Sequence, residues 1–203
     1  MDFFMKTYAA ILALLAASTG YYYIYQDDKE FTLRYKKAQM TDPREVKSFN
    51  ETKLLAEKGD LNAQCALGYK YAEGHGVAVD ELQAAKWYRK AADLGHADSQ
   101  CHIGMAYSKG KGVPKDLEQA AFWYRRAAEQ GYDAALALLA ECYLNGEGVP
   151  KDLVQAYAYF NLSGWGRRRA DELEKKMSVI QVADGQKLSR ELQSEIDARK
   201  AGK

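Results

Sequence analysis

The sequence repeats itself at an offset of 36 residues, and this period constrains the fold more than any other feature. Three copies share nine identical columns, far more than chance similarity between unrelated segments gives. In the first copy these columns hold Ala56, Gly59, Tyr71, Gly74, Gly76, Val77, Asp80, Gln83 and Ala84, and the same residues recur 36 and 72 positions later. A period of roughly 20 to 50 residues is typical of solenoids and other repeat arrays. We therefore predict a stack of similar units.

Each unit carries the spacing of two helices. Apolar and small residues at i, i+4 and i+8 from Ala63 predict a helix A near residues 61–73, ended by a left-handed cap at Gly74. Asp80 stands three residues before Gln83, which predicts reciprocal capping at the start of a helix B. The predicted apolar face of helix B is formed by Ala84, Trp87, Tyr88 and Ala91. The sequence thus predicts an all-α fold, a right-handed α-solenoid of helix-turn-helix repeats with a 36-residue period.

The N-terminus has the pattern of an export segment. Lys6 precedes the apolar run Tyr8–Ala17, and small residues suited to a signal peptidase site follow. Alternatively, the uncharged stretch Tyr8–Tyr25, 18 residues long, is retained as a membrane anchor, since it spans roughly 27 Å as a helix. A buried core helix is the third interpretation. In the first two, residues 26–203 lie outside the cytoplasm, either periplasmic or anchored to the inner membrane.

The rest of the chain divides around the repeats. Residues before and after them are expected to cap the two hydrophobic ends of the stack, as terminal repeats do. The segment before the first repeat aligns with helix B alone, although Thr52 stands where the repeats have Tyr, and it is interpreted as a half-repeat. The predicted segments are residues 1–25 (signal peptide or anchor), 26–42 (polar linker), 43–58 (N-terminal capping half-repeat), 59–163 (three repeats), 164–198 (C-terminal capping helices) and 199–203 (tail).

Charge and motifs argue against nucleic-acid binding and catalysis. The chain has 29 basic and 28 acidic residues, a net charge of +1, so no overall field favours DNA or RNA. The glycine pairs such as Gly74 and Gly76 join two helices, not a strand to a helix, so they do not form phosphate loops. The triplet Arg167–Arg169 is interpreted as a solvated face, with contact to lipid headgroups or an acidic partner as the alternative. We expect no enzyme activity and no cofactor.

The cysteines are interpreted as small buried thiols. Cys65, Cys101 and Cys142 fall one per repeat. Equivalent positions of stacked helices lie roughly 8 to 10 Å apart, which is beyond disulfide reach for Cys65 and Cys101. A metal site at Cys101, His102 and His96 is rejected, because adjacent helical residues point about 100° apart and a fourth ligand is missing. We therefore expect no metal.

The repeat unit resembles the Sel-one-like repeat family, a class of tetratricopeptide-like α-solenoids. Residues 92–127 follow the family pattern closely, from Ala92, Gly95, Gln100, Gly104 and Tyr107 through Gly110, Gly112, Val113 and Asp116 to Ala120, Trp123, Tyr124 and Ala127. The third copy departs from it at Leu136, Ala140 and Tyr159. The resemblance implies an adaptor that brings proteins together, often in the bacterial envelope, and that lacks a common catalytic site.

The resemblance also implies that helices A line a concave wall, where columns that vary between repeats carry specificity. These candidate partner-binding residues are Asn62, Tyr69, Lys70, Glu73, Asp98, His102, Met105, Lys109, Leu138, Glu141 and Asn145. Tyr69, Met105 and Leu138 are the candidate anchors, since exposed apolar groups in one groove favour an interface.

Three functions are open at this point. The primary hypothesis is a non-enzymatic envelope scaffold that recognises a peptide or protein on its concave face, with membrane contact through residues 8–25 if these are retained. One alternative, suggested by the resemblance, is a periplasmic immunity protein that neutralises a secreted toxin. Another is an accessory lipid- or glycan-binding module that uses the tyrosines and residues 167–169.

Overall fold

The computed structural model describes residues 42–202, and this part of the chain forms nine α-helices and no β-strand. The helices form an α-solenoid of stacked pairs, so the predicted fold class is confirmed. The predicted signal or anchor segment, residues 1–25, and almost all of the predicted linker lie outside the described residues. In chain order the helices are α1 (Pro43–Glu57), α2 (Leu61–Glu73), α3 (Glu81–Asp93), α4 (Ala97–Lys109), α5 (Leu117–Ala128), α6 (Asp133–Asn145), α7 (Leu153–Leu162), α8 (Arg167–Glu174) and α9 (Val179–Ala201).

Helices α2, α4 and α6 are the A helices of the three repeats, and α3, α5 and α7 are the B helices. Each A helix ends at a left-handed glycine, as predicted; at Gly74 φ is +82°. Each B helix begins at an aspartate whose carboxylate accepts a hydrogen bond from a backbone N–H three residues later, as for Asp80 and Gln83 (2.9 Å). Local capping therefore fixes where helix A ends and where helix B begins in each repeat.

The predicted bond between the Gln83 side chain and the backbone N–H of Asp80 is replaced by another hydrogen bond. The backbone N–H of Asp80 donates to the carbonyl of Tyr71 (2.9 Å), and Asp116 makes the same bond to Tyr107 (3.0 Å). Because this donor is already bonded to helix A, it needs no partner from the Gln83 side chain. The bond closes the turn between the two helices of one repeat.

Aromatic rings of the B helices pack on small residues of the A helices. A Cβ added at Gly68 would lie 2.7 Å from the ring of Tyr88, and one at Gly104 would lie 2.7 Å from the ring of Tyr124. These glycines therefore make room for a tyrosine of the same repeat. Trp123, only 2% exposed, fills the space between neighbouring repeats.

Both ends of the stack are covered by helices outside the repeats. Helix α1 packs on α2. At the other end, α8 and α9 pack on α7, and Arg169 of α8 pairs with Glu141 of α6 (3.0 Å). Helix α9 continues to Ala201, beyond residue 198 where the capping helices were predicted to end, and Arg199 near its end pairs with Glu129 (2.7 Å). Among residues 42–202, no helix combines the length and apolar character needed to cross a bilayer.

Candidate functional site

A cavity of about 200 Å³ lies among α2, α3 and α4, the three helices at the junction of the first and second repeats. We call it the Tyr69 pocket. The side chains that give it its chemical character are Tyr69, Glu73, Tyr88, His102, Met105 and Lys109. Five of the eleven candidate residues predicted from the sequence therefore meet in one place.

Helical periodicity explains why these five residues converge. Tyr69 and Glu73 are one turn apart on α2, and His102, Met105 and Lys109 recur at i, i+3 and i+7 on α4. Residues at these spacings share one face of a helix. Since α2 and α4 occupy equivalent places in successive repeats, both helices turn this face toward the same pocket.

Tyr69 is the most exposed apolar group of the pocket. Its side chain is 48% exposed, and its ring stacks on the imidazole of His75 with 5.5 Å between centroids. Met105 is half-buried. Stacking on His75 holds the tyrosine ring in place, so the pocket offers an ordered aromatic surface that is still open to solvent.

Charges of both signs border the pocket. Lys111 and Glu81 form an ion pair (3.1 Å) at its edge. Glu73 and Lys109 are exposed and, within residues 42–202, neither forms an ion pair. The pocket therefore presents one carboxylate and one ammonium group that remain available to a ligand.

The other six candidate residues lie elsewhere. The Oδ1 of Asn62 accepts a hydrogen bond from Nε2 of His96 (3.0 Å), and Lys70 donates to the hydroxyl of Ser48 in α1 (3.1 Å). Leu138 is half-buried against the C-terminal core and Glu141 pairs with Arg169, so the α6 face is largely engaged by the protein itself. Asn145 is exposed at the end of α6, and Asp98 belongs to a separate cluster.

The three cysteines are free and buried. Burial raises the pKa of Cys65 and Cys101 to about 12 and that of Cys142 to about 11. Thiols with such pKa values are protonated at neutral pH, the opposite of what a cysteine nucleophile needs. This environment argues against covalent catalysis by any of the three.

The structure brings together a cysteine, an aspartate and a histidine that the sequence did not associate. The Sγ of Cys65 lies 3.4 Å from Oδ2 of Asp98, and Nε2 of His102 lies 3.5 Å from Oδ1 of the same carboxylate. The ligand atoms of the three residues all lie within 4.8 Å of one another. We call this group the Cys65 cluster. Burial lowers the pKa of His102, and its ring stacks on Tyr88 with 4.6 Å between centroids.

The grouping rejected from the sequence, Cys101 with His102 and His96, does not form. Cys101 is 2% exposed within the core, and the ring of His96 contacts Ser99 and Asn62. The cysteine beside His102 instead comes from α2, 37 positions earlier in the chain. Cys65 and His102 are close because α2 lies beside α4, and this placement cannot be read from the sequence.

The three repeats share both a sequence pattern and a helix-pair geometry. The Sel1 repeat model matches residues 61–96, 97–132 and 133–164, and these three matches begin where the three A helices begin. The chain belongs to the Sel1 repeat family. Sel1 repeats generally act as scaffolds that mediate protein–protein interactions, and the family is typically non-catalytic.

Two solved structures are similar to this Sel1 repeat protein. One is c5321, a protective antigen present in uropathogenic Escherichia coli strains that displays an SLR fold, with 34% identity and a TM-score of 0.67 over 76% of the present chain. The chain spans 35% of the length of that antigen. The other is a Sel1 repeat protein from Oxalobacter formigenes, with 32% identity and a TM-score of 0.56, covering 62% of the present chain and 98% of its own. No curated protein sequence matches the chain.

Proposed function

We propose that this Sel1 repeat protein is a non-enzymatic scaffold of the bacterial envelope that binds a segment of a partner protein at the Tyr69 pocket. The observation that carries the proposal is the pocket itself, where a 48% exposed tyrosine, a methionine and two unpaired charges converge from two repeats. Aromatic groups in such settings are frequent interface anchors. The family's role in protein–protein interaction supports the same class of partner.

The size of the pocket favours a side chain over a free small molecule. Pockets for drug-sized ligands are typically about 300 to 1,000 Å³, whereas the Tyr69 pocket measures about 200 Å³. A cavity of this size suits one apolar side chain of a protein segment. The remaining contacts of that segment fall on the exposed faces of α2 and α4.

The charges at the pocket define the chemistry of the segment. Glu73 of α2 and Lys109 of α4 hold equivalent positions in their helices, since both end the A helix of their repeat. A bound segment that places a basic group near Glu73 and an acidic group near Lys109 gains two charge pairs around its apolar anchor. We therefore propose an apolar residue flanked by charges of opposite sign as the recognised motif.

The basic triplet gives less support to a lipid or glycan ligand. Arg169 is paired with Glu141 and Arg168 with Glu172 (3.3 Å). Because two of the three guanidinium groups already have carboxylate partners, the triplet is a weak anion site. A protein partner at the Tyr69 pocket is therefore the better proposal, and whether that partner is a secreted toxin depends on its identity.

Export is part of the proposal and rests on residues 1–25 of the sequence, with their basic start and apolar run. Mass spectrometry of the N-terminal peptide of the mature protein distinguishes the two routes. A peptide that begins near residue 19 or 21 identifies a cleaved signal, and one that begins at the start of the chain, in protein recovered from the membrane fraction, identifies an anchor. Recovery of an uncleaved protein from the soluble cytoplasm contradicts export.

Co-purification with a matched control tests the binding proposal. The tagged full-length protein is isolated from cells as wild type, as Tyr69→Ala and as Phe122→Ala, because Phe122 is similarly exposed (46%) but lies on α5 outside the Tyr69 pocket. We expect one stoichiometric protein partner with the wild type and Phe122→Ala, and its loss with Tyr69→Ala at unchanged helicity. Equal recovery with all three proteins contradicts the pocket assignment.

A further inference from the structure

The Cys65 cluster contains three different metal-ligating side chains held by two helices. Asp98 and His102 are one turn apart on α4, and Cys65 faces them from α2. The Sγ of Cys65 and Nε2 of His102 lie 3.4 and 3.5 Å from the two carboxylate oxygens of Asp98. The two backbones are fixed by the stacking of the repeats, so these distances are set by the fold and not by a flexible loop.

From this arrangement we infer that Cys65, Asp98 and His102 form a binding site for a divalent transition-metal ion of the zinc class, at the junction of the first two repeats. The site shares His102 with the Tyr69 pocket but does not depend on the proposed scaffold function. It uses a different cysteine from the Cys101 grouping that the sequence excludes.

The distances agree with tetrahedral coordination. Ligand atoms at about 2.0 to 2.3 Å from zinc, separated by tetrahedral angles, lie about 3.3 to 3.8 Å from one another. The Sγ of Cys65 lies 3.4 Å from Oδ2 of Asp98 and Nε2 of His102 lies 3.5 Å from Oδ1, so each approaches the carboxylate within this range. One ligand atom from each of the three residues lies within 4.8 Å of the other two. Binding of one ion therefore requires Cys65, His102 and the Asp98 carboxylate to turn toward a common point between them.

The donor atoms select the class of ion. One sulfur, one imidazole nitrogen and one carboxylate oxygen suit zinc or cobalt(II), whereas calcium and magnesium require oxygen ligands. Without an ion, the Cys65 thiol keeps its proton and donates a hydrogen bond to Oδ2 of Asp98. Metal binding breaks the S–H bond, forms a metal–thiolate bond and releases that proton to solvent.

Neighbouring groups hold two of the ligands in place. The hydroxyl of Tyr132 donates to Oδ1 of Asp98, which leaves Oδ2 directed at Cys65. The ring of His102 stacks on Tyr88 and also lines the Tyr69 pocket. Hydrogen bonds and ring contacts of this kind to the ligating side chains orient metal ligands. The side chains of Asp98 and His102 are 42% and 28% exposed, so an ion can reach these two ligands from solvent.

The repeat provides an internal comparison. Cys101 stands at the position of Cys65 in the next A helix, but Ala134 and Leu138 stand where Asp98 and His102 do. Cys101 therefore lacks both partner ligands and serves as a matched control thiol. These differences between the repeats predict a metal site at Cys65 and none at Cys101.

Titration of the full-length protein with Co²⁺ tests the site. The protein is kept reduced, treated with a chelator and desalted before the titration. We expect a thiolate-to-cobalt charge-transfer absorption that saturates at one equivalent and disappears when Zn²⁺ is added. Cys101→Ser retains this absorption and Cys65→Ser loses it. Tyr132→Phe binds about 10- to 100-fold more weakly, because Asp98 loses its orienting hydrogen bond.

Two results overturn the inference. One is a wild-type protein without a charge-transfer band at several equivalents of Co²⁺. The other is a band that Cys65→Ser retains and Cys101→Ser loses. Far-UV circular dichroism checks that each variant is folded, and His102→Ala, which alters a side chain that is 28% exposed, replaces Cys65→Ser if that variant is unfolded. His102→Ala is expected to weaken Zn²⁺ binding and to reduce the rise in melting temperature that Zn²⁺ gives the wild type.

Discussion

Gly112 lies directly against the backbone carbonyl of Glu81, so that a Cβ at residue 112 would come within 1.9 Å of that oxygen. The contact joins the loop of the second repeat to the first turn of the B helix before it. It recurs one period later between Gly148 and Leu117, also at 1.9 Å. The glycine column of the repeat therefore sets how closely successive repeats stack.

Gly112→Ala should destabilise the protein much more than Gly95→Ala. Both residues have positive φ, +69° and +91°, so both alanine variants carry a backbone strain of about 1 to 2 kcal/mol. A Cβ at residue 95 meets no atom within 4 Å, whereas one at residue 112 collides with Glu81. The collision should add about 1 to 3 kcal/mol. Urea unfolding followed by circular dichroism measures both, and equal losses contradict the role of the contact.

Trp123→Ala should lower the free energy of unfolding by about 3 to 5 kcal/mol, as expected for a large buried aromatic side chain. Trp123 is 2% exposed between the repeats, whereas Trp165 is 75% exposed. Trp165→Ala is thus a matched control that should change stability by no more than about 0.5 kcal/mol. Chemical unfolding curves of the two variants give the comparison, and similar losses for both tryptophans contradict the packing described for Trp123.

The fold was largely predictable because the same helix-capping residues recur in all three repeats. The column of Asp80 identifies where B helices begin, and the column of Gly74 identifies where A helices end. The reason for the Gly112 column was not predictable, since its contact with Glu81 depends on how one repeat sits on the next. Periodicity gives the boundaries of helices but not the depth at which they pack.

The candidate site was predictable only in part, for a similar reason. The columns that vary between repeats predicted an exposed face, and Tyr69 on that face is exposed; partner binding there stays a prediction. The Cys65 cluster was not predictable because Cys65 lies 37 positions before His102 in the chain. From the sequence, only the adjacent pair of Cys101 and His102, with His96, comes into question as a metal site, and that grouping is rejected. Leu138 was a predicted anchor, but the C-terminal helices α8 and α9 complete a core around the third repeat that leaves it half-buried. The grouping of the Cys65 cluster and the burial of Leu138 both depend on how neighbouring helices pack on one another.

The buried thiols should make the protein lose stability at alkaline pH. Folding raises the pKa of Cys65 from 9.0 to about 12 and that of Cys142 to about 11. The folded state therefore holds protons that the unfolded state releases, so this contribution is complete below pH 9 and is lost as the pH rises through 11 to 12. Urea unfolding at pH 8, 9, 10 and 11 should show a progressive decline.

Thiol labelling provides the control for the alkaline effect. At pH 8 the folded protein should react slowly with a thiol reagent, and the protein unfolded in urea should react at all three cysteines, because folding buries them. Rapid labelling of the folded protein at pH 8, or a flat stability profile from pH 8 to 11, contradicts the burial described for these side chains.

The most direct test of the scaffold proposal is site-specific photocrosslinking in cells. A photoreactive amino acid replaces Glu73 or Lys109, which border the Tyr69 pocket, or Phe122, which lies outside it. The account predicts the same discrete protein adduct from positions 73 and 109, none from position 122, and loss of the adduct when Tyr69→Ala is added. Adducts of equal yield from all three positions, or none at 73 and 109, contradict the proposal that this Sel1 repeat protein binds its partner at the Tyr69 pocket.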